Sequence, residues 1–546
     1  KSKPRPHRTI PEDFAFGEFP EDWEHFEPAM LNAMHRVPKL EKTGIRKFFN
    51  GPESFTPDDR YLLGEAPELR NFFVAAGFSS IGIQSAGGAG RVLAEWIVNG
   101  HPLLDLWDVD IRRVLPFQNN ERYLHDRTVE GLGLLYAMHW PFRQPETSRG
   151  VRKSVLHDRL AQAGACFGET AGWERANWFA PDGMVPNYEY SYGRQNWFSA
   201  SADEHLAVRK QVGMFDMSSF GKFMVQGRDA EAVMNRICAN NVAVEPGKVV
   251  YTAWLNERGG IESDLTVTRL REDAYLVVTA GTSQTRDLAW LRRQLPDEAN
   301  AVVTDVTSGY VVLSVMGPNA RRLLAEVTPA DLSNEAFPFG TSKEIEVGYA
   351  TALALRVTYV GELGWELYIP TEFAQDIYDG IVAAGSGHGL KLAGMHALNS
   401  LRLEKAFRHW GHDITDEDNP VAAGLGFAVA WDKPGGFIGR EALLKIKEAG
   451  IPKKRLVQFA MLEPEPLLYH NEPIWCNQQI VGDLTSGMYG HSIGTCLGMG
   501  YVENEQGVSK EFVETSNFEI EVAGERFPAR ASLRAFYDPN SERSRH

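Results

Sequence analysis

The sequence predicts an α+β chain, and three stretches carry that reading. The first is the apolar run Phe72 to Ala76, followed by "GFSSIGIQSAGGAGRVLAEWIVNG" from Gly77 to Gly100. A buried strand, a turn of small residues and a long apolar helix are expected there. The second begins around Gly213, where alternating runs such as "GKFMVQG" and "AYLVVTA" are separated by helical ones such as "DAEAVMNRI". The third follows Gly450. There "RLVQFAML", "QQIVGDLTSG", "LGMGYV", "FEIEVAG" and "RFPARASL" read as close-spaced strands of a small barrel or jelly-roll module.

Taken in order, residues 1–30, with "IPEDFAFGEFPEDWEHF", mix aromatics, acids and prolines and read as a connecting arm. A strand is expected at "GIRKFFNG", a loop at "PESFTPDD", then a second strand and a helix from about Ile83 to Asn99. Ile83, Ala86, Gly90, Leu93, Ala94 and Ile97 recur at helical spacing, which predicts a buried face. From Pro102 to about Leu160 the chain reads as helical and polar, changing character near "RQPETSRGVRKSVLHDRL".

A length of 546 residues allows two to four domains, and 43% hydrophobic with 23% charged residues is a globular composition. A net charge of −16 argues against nucleic acid or an anionic membrane as the main partner. No apolar run reaches the roughly 18–20 residues a membrane span needs. Cys166, Cys238, Cys476 and Cys496 form no CxxC pair, which suits a reducing compartment without structural zinc or disulfides. His409 and His412, beside Asp413, find no third ligand in the pattern, so no metal is expected. The opening "KSKPRPHR" has no apolar segment behind it and is not a secretory signal. It also lacks an initiator Met, and the chain is expected to begin partway through a longer one.

"FFNGPESFTPDDRYLLGEAPELRNFFVAAGFSSIGIQ" resembles the closing segment of amine-oxidising flavoproteins of the sarcosine oxidase and dehydrogenase type. The resemblance implies FAD, with the "TPD" loop and the turn Phe78, Ser79, Ser80, Ile81, Gly82 and Ile83 flanking the flavin ring. The helix-start amides of Ser80–Ile83 would then face the pyrimidine carbonyl, where negative charge accumulates on reduction. Gly51 stands where monomeric sarcosine oxidases attach flavin through cysteine, and Gln84 where they hold the substrate carboxylate with lysine. The dimethylglycine and sarcosine dehydrogenases share that altered pattern and attach flavin through a histidine far upstream. No strand–GxGxxG–helix with an acid about 20 residues on is present, and "GGAG" at Gly87–Gly90 falls inside the helix. The expectation is a remnant of an amine-oxidase-type FAD domain, with most of the flavin site before residue 1.

"FDMSSFGKFMVQGRDA", "GGIESDLTVTRL", "VTYVGELGWELYIP" and "LNSLRLEKAFRHWG" together resemble the folate-binding domain of glycine-cleavage aminomethyltransferases. In dimethylglycine and sarcosine dehydrogenases that domain follows the flavin domain. The resemblance implies tetrahydrofolate, bound by Ser263, Asp264, Leu265, Tyr359, Glu366, Leu367, Tyr368 and Phe427. Asp264 would be catalytic, taking a proton as the folate amine attacks an iminium carbon. In its strand, Ser263, Leu265 and Val267 face one way and Asp264 and Thr266 the other. "VTYVGELGWEL" reads as a hairpin with Gly361 and Gly364 bracketing the turn, which would set Tyr359 opposite Glu366, a ring and a carboxylate for a pterin edge. The arginine that holds the folate tail in the glycine-cleavage enzyme falls at Leu398, with Arg402 a turn on, so tail binding is expected to differ.

These readings divide the chain into 1–102 (end of the FAD-dependent oxidoreductase domain), 103–160 (central connection), 161–448 (aminomethyltransferase-like domain) and 449–546 (C-terminal barrel). They imply a flavin-dependent dehydrogenase of sarcosine or dimethylglycine that passes the one-carbon unit to tetrahydrofolate. The fragment alone would lack dehydrogenase activity, and its electron acceptor is not legible. The expected compartment is bacterial cytoplasm or, in a eukaryote, the mitochondrial matrix. The alternative is a binding partner, since "GPESFTPD", "DMSSFGKF" and "FVETSNFEIEVAGERFPARASL" also resemble the regulatory subunit of pyruvate dehydrogenase phosphatase.

Overall fold

The computed structural model describes residues 14–545. Part of the expected connecting arm is a helix, Trp23–Arg36, capped by the Asp22 carboxylate on the His25 N–H and burying none of its residues; residues 1–13 lie outside the described residues. "GIRKFFNG" forms no strand: it runs beside residues 17–20, with Phe19 N–H donating to the Asn50 carbonyl, and has no neighbouring ladder to join. Leu62–Glu65 pairs with Phe73–Ala76 in a two-stranded antiparallel sheet. Phe73–Ala76 is half-buried to exposed rather than a buried strand.

The long helix spans Gly82–Asn99 and ends on left-handed Gly100. Its expected apolar face is open: only Ala89 and Trp96 are buried, while Ile83, Ile97 and Val98 are exposed. A two-stranded sheet offers cover for little more than the Trp96 ring, which sits so close over Gly64 that a Cβ there would lie 2.4 Å from it. Residues 102–160 are less helical than expected, with Glu121–Leu134 the one long helix among short 3-10 turns. Ion pairs hold this polar stretch: Arg113 to Asp58, Arg127 to Glu169 and Arg149 to Glu174.

Two sheets then face each other. One is antiparallel, in the order Val302–Asp305, Gly221–Gln226, Ala274–Thr279, Ile261–Arg271, Val249–Leu255. The other has the order Ser342–Val347, Ala350–Leu355, Gly364–Pro370, Tyr310–Met316, Val212–Asp216, Leu390–Leu392, only the last pair being parallel. Strand alternation divides the side chains among three cores. Leu265, Val267 and Phe223 line one outer core, and Leu313, Trp365 and Leu367 the other. Phe215, Leu276, Val312 and Tyr368 fill the layer between.

The C-terminal module is a closed six-stranded barrel. The strand Lys454–Met461 pairs with both Thr495–Glu503 and Glu525–Ser532, so no edge is left open. A short strand, Pro473–Cys476, completes it and has no counterpart among the expected runs.

One buried ion network ties these parts together. Glu404, at the end of helix Met395–Glu404, is fully buried and accepts from Arg209 Nη2 at 3.0 Å and from the Ser492 N–H of the barrel at 2.7 Å. Burial alone would raise its carboxyl, but His205, Arg209 and the Ser492 N–H more than offset that and hold it near 2. Glu404→Gln is expected to cost about 3 kcal/mol at neutral pH, because Arg209 loses a buried counter-charge. Urea denaturation checks this. The gap between variant and parent should close as pH falls from about 4.5 toward 2, where a depressed carboxyl loses its contribution on protonation.

Candidate functional site

The antiparallel hairpin Val249–Leu255/Ile261–Arg271 turns at Asn256–Gly260 and pairs Ala253 with Asp264 and Tyr251 with Thr266. Tyr251 and Asp264 therefore sit diagonally on one face, and the Tyr251 hydroxyl donates to Asp264 Oδ2 at 2.8 Å. Asp264 is half-buried, as its alternation with the buried Ser263 and Leu265 requires. Burial lifts its carboxyl to about 6, with Tyr251 pulling it down and Asp287 pushing it up. A carboxylate of this kind is ionised at neutral pH yet close enough to it to take and return a proton.

Further aromatic rings stack near the Tyr251–Asp264 pair. Phe427 stands on the short turn Gly426–Ala428, 75% exposed, and its ring stacks on Tyr251 with centroids 6.2 Å apart. Tyr359 is stacked on Phe407 at 6.0 Å and donates its hydroxyl to the Arg408 carbonyl at 2.8 Å. Burial raises the Tyr359 phenol, Arg402 opposes that, and Asp264 and Asp413 add to it, which puts Tyr359 within electrostatic reach of Asp264.

The expected hairpin does not form. Residues 356–363 are a loop, and strand Gly364–Pro370 pairs instead with Ala350–Leu355, setting Leu355 rather than Tyr359 opposite Glu366. Gly361 is left-handed, and a Cβ there would lie 2.5 Å from the Lys405 side chain, so this glycine serves close packing rather than a two-residue turn. Glu366 is half-buried and accepts from the Tyr368 hydroxyl at 3.0 Å; burial raises its carboxyl and that bond lowers it. Glu366 and Tyr368 share the inner face of their strand, on the layer that Tyr359 also packs against.

Ser263, Leu265 and Leu367 behave differently. Ser263 turns away from Asp264 and donates to Asp287 Oδ2 at 3.0 Å, while Leu265 and Leu367 are buried in the two outer cores. Alternation permits no other outcome for immediate neighbours of inward-facing residues. Leu398 is buried in the inner layer, and Arg402 is spent on Asp413 Oδ2 at 2.6 Å and Ser486 Oγ at 2.9 Å.

Two residues of this cluster were not among the expected site residues: Tyr251 lies outside the motifs, and Arg408 lies within "LNSLRLEKAFRHWG". Tyr251 precedes Asp264 by 13 residues, a spacing that the "NERGG" turn between them makes diagnostic once the register is known. Arg408 is held by the carbonyls of Ala406 and Ala423, and burial lowers its guanidinium while Tyr251, Asp413 and Asp264 raise it. Among the described residues no group of His, Cys, Asp and Glu could hold a metal ion.

At the other end, the "TPD" loop and the helix start are joined as one unit. Ser79 N–H donates to the Ser54 carbonyl at 3.2 Å, and the Ser80 hydroxyl to Glu53 at 2.7 Å. Ser79 and Ser80 both take left-handed backbone angles, φ 44° and 66°, a strained pairing of the kind that functional turns hold. Phe78 stacks on Tyr61 at 4.7 Å. The Ile81 N–H is already bonded to the Phe78 carbonyl, so it drops out of the expected donor set. Gly82 and Ile83 open the helix, where first-turn amides have no intrahelical acceptor. Gly87–Gly90 lies within the helix, as expected. This donor set fits one electron-rich edge of a flavin ring.

Residues 156–433 match the GCVT N-terminal domain, and residues 454–538 the glycine cleavage T-protein C-terminal barrel domain. Residues 99–154 match the FAD dependent oxidoreductase central domain, and residues 7–96 the FAD dependent oxidoreductase family. The chain is 47% identical over 542 residues to 4-methylaminobutanoate oxidase (formaldehyde-forming) of Paenarthrobacter nicotinovorans, covering 99% of this chain and 65% of that protein. It is 38% identical over 575 residues to the mitochondrial sarcosine dehydrogenase of Homo sapiens, covering 98% and 62%. The chain thus spans just under two thirds of the length of these relatives. Its fold is similar to glycine cleavage system aminomethyltransferase T from Bartonella henselae, with TM-score 0.61 and 25% identity over 71% of this chain and 99% of that one.

The raised Asp264 carboxyl has a measurable consequence. An acid whose folded pKa lies above its unfolded value destabilises the fold once pH passes through that interval. Asp264→Asn should therefore be more stable than the parent near pH 8 by about 1–2 kcal/mol, the linkage value reduced for solvent screening. The gain should shrink as pH falls through 6 and vanish near 4, as thermal unfolding across pH will show. Tyr251→Phe removes the donor that favours the carboxylate, so the interval should move upward.

Proposed function

The chain belongs to the family in which a glycine-cleavage T-protein domain and barrel follow an FAD-dependent oxidoreductase region, and from that premise we propose that it captures the one-carbon unit of an oxidised N-methyl amino acid on tetrahydrofolate. The observation that carries this reading is a single half-buried carboxylate, Asp264, hydrogen-bonded to Tyr251, whose ring stacks with the exposed ring of Phe427. A flat heteroaromatic amine needs a ring to lie on and a base beside it, and this cluster offers both.

FAD, when bound, supplies the oxidation that turns an N-methyl amine into an iminium. The chain's own residues would do the rest. The amides of Gly82 and Ile83, with the Ser79–Ser80 turn, would hold the flavin's pyrimidine edge. Phe427 and Tyr359 would flank the pterin, and Glu366 would accept its N–H groups. As the folate amine nitrogen bonds to the iminium carbon, its proton passes to Asp264, whose other bond, from Tyr251, keeps the carboxylate oriented. An acid near 6 can return that proton to the amino acid's nitrogen, whose bond to the carbon then breaks as the second folate nitrogen closes on the same carbon, and the second folate proton leaves with the freed amine. The relatives' names include N-methylglycine and 4-methylaminobutanoate chemistry, so the substrate class is an N-methyl amino acid with the chain length open.

Calorimetric titration of the chain with tetrahydrofolate tests the reading. Saturable binding is expected, and Glu366→Ala should raise Kd by roughly one to three decades through the loss of charge-assisted hydrogen bonds. With flavin bound, the same variant should release more formaldehyde per amine oxidised. Unchanged affinity in Glu366→Ala and Phe427→Ala would remove the cluster as the folate site. Folate binding by the full-length protein without flavin reduction by any N-methyl amino acid would favour the binding-partner reading.

A further inference from the structure

Residues 537–545 follow the last barrel strand, Glu525–Ser532, and turn back onto the loop 356–363 that carries Tyr359. A tight turn presents them. Asp538 takes a left-handed backbone angle, and its carbonyl accepts from the Ser541 N–H. Its carboxylate accepts from the N–H groups of Glu542 and Arg543 at 3.0 and 3.3 Å. That turn aims Arg543 at Glu362. The guanidinium Nε donates to both carboxylate oxygens, at 3.0 and 2.9 Å, and Nη2 to the Arg209 carbonyl at 2.8 Å. Tyr537 adds its hydroxyl to Glu362 Oε1 at 2.7 Å, and its ring centroid lies 3.9 Å from the Arg209 guanidinium.

A second arm reaches the same loop. Lys405 Nζ donates to the Asp538 carbonyl at 2.5 Å and to the Ser541 hydroxyl at 3.3 Å. Its stem packs against Gly361, and its ammonium stands 5.9 Å from the centre of the Phe407 ring, on which Tyr359 stacks. At the head of the loop, Arg356 Nη2 donates to the Arg545 carbonyl at 3.2 Å. Points of the loop on both sides of Tyr359 therefore lean on one short segment.

We propose that Arg543 is a positioning residue for the folate site: through Glu362 it sets the loop 356–363 so that the Tyr359 ring stands where one face of the pterin needs it. This rests on the reading of Tyr359 as one wall of that site. Arg543 acts through Glu362 and needs no contact with the ligand. Glu362 is buried, whereas the Arg543 side chain is 43% exposed. Among the described residues Arg543 is the one hydrogen-bond donor to Glu362 Oε2, since Arg209 and Tyr537 both reach Oε1. Without Arg543 a buried carboxylate oxygen would have no donor, which is costly. The loop joins no strand ladder, so it is the part that can shift to relieve that cost. A lysine at 543 would keep the charge but not the fork that serves the carboxylate and the Arg209 carbonyl together.

The test is a double-mutant cycle read by calorimetric titration with tetrahydrofolate, on the parent, Arg543→Gln, Tyr359→Ala and the double variant. Arg543→Gln should raise Kd roughly three- to tenfold. In the Tyr359→Ala background the same change should add less than about twofold, because the ring that the loop positions is gone. An ion pair that only stabilised the fold would weaken both backgrounds alike. Arg543→Lys should recover part of the loss. Tyr537→Phe, which removes a donor to Glu362 and no charge, should act in the same direction and carries the test if Arg543→Gln fails to fold. Hydrogen exchange without ligand should be faster in residues 356–363 of Arg543→Gln, with Ala274–Thr279 unchanged. Parent-like affinity in the folded variants, equal losses in the two backgrounds, or unchanged exchange in the loop would overturn the proposal. A parent that binds no tetrahydrofolate overturns the folate reading instead, and the exchange comparison then decides whether Arg543 sets the loop.

Discussion

The pairing of Arg209 with Glu404 is the constraint on which the rest of the arrangement leans. Arg209 reaches the Val360 carbonyl at 2.6 Å and Glu362 at 3.1 Å, which fixes the loop that carries Tyr359. Glu404 grips the barrel through the Ser492 N–H, and Glu362 takes Arg543 from the C-terminal segment. Leu456, Met488, Leu497 and Met499 of the barrel share a buried apolar cluster with Trp178, Trp197 and Leu403, and charges taken out of water add a second tie between these regions. Such pairs add little net stability when complete, but leave a costly orphan when one partner goes. Their value here is positional: they set where a loop and a barrel stand relative to the two sheets.

Given that frame, the Asp264 site follows from strand alternation and desolvation. One residue in two on Ile261–Arg271 faces inward, and Asp264 is one of them, half out of water with one hydroxyl donor. Too few donors reach it to restore an ordinary carboxylate, so its proton affinity rises to a range useful near neutrality. Glu366 shows the same balance with Tyr368 on the facing sheet. Each carboxylate pairs with a tyrosine of its own hairpin or strand, and the aromatic groups that line the layer keep solvent partly out.

Much of this was legible in the sequence where the pattern is local. The barrel strands, the inward face of Asp264 and Thr266, and the helix around Gly87–Gly90 are fixed by period and turn chemistry alone. What failed depended on partners. The helix face at Ile83 and Ile97 reads as buried, yet burial is decided by what lies across from it. The Tyr359–Glu366 pairing assumed a tight turn at Gly361, whereas that glycine makes room for Lys405 and the strand takes Leu355 as its neighbour. Leu367 and Leu265 belonged to the right motifs but sit on the wrong face, a distinction that a motif does not encode. Arg402, a turn beyond Leu398, is locked to Asp413, a pairing that the motif does not encode.

Hydrogen exchange followed by mass spectrometry, with and without tetrahydrofolate, tests most directly whether these separated pieces form one binding site. Protection should appear together in residues 249–271, 356–370 and 425–429, with the barrel strand Gln479–Gly490 unchanged. Protection confined to the barrel, or to none of these segments, would contradict the account.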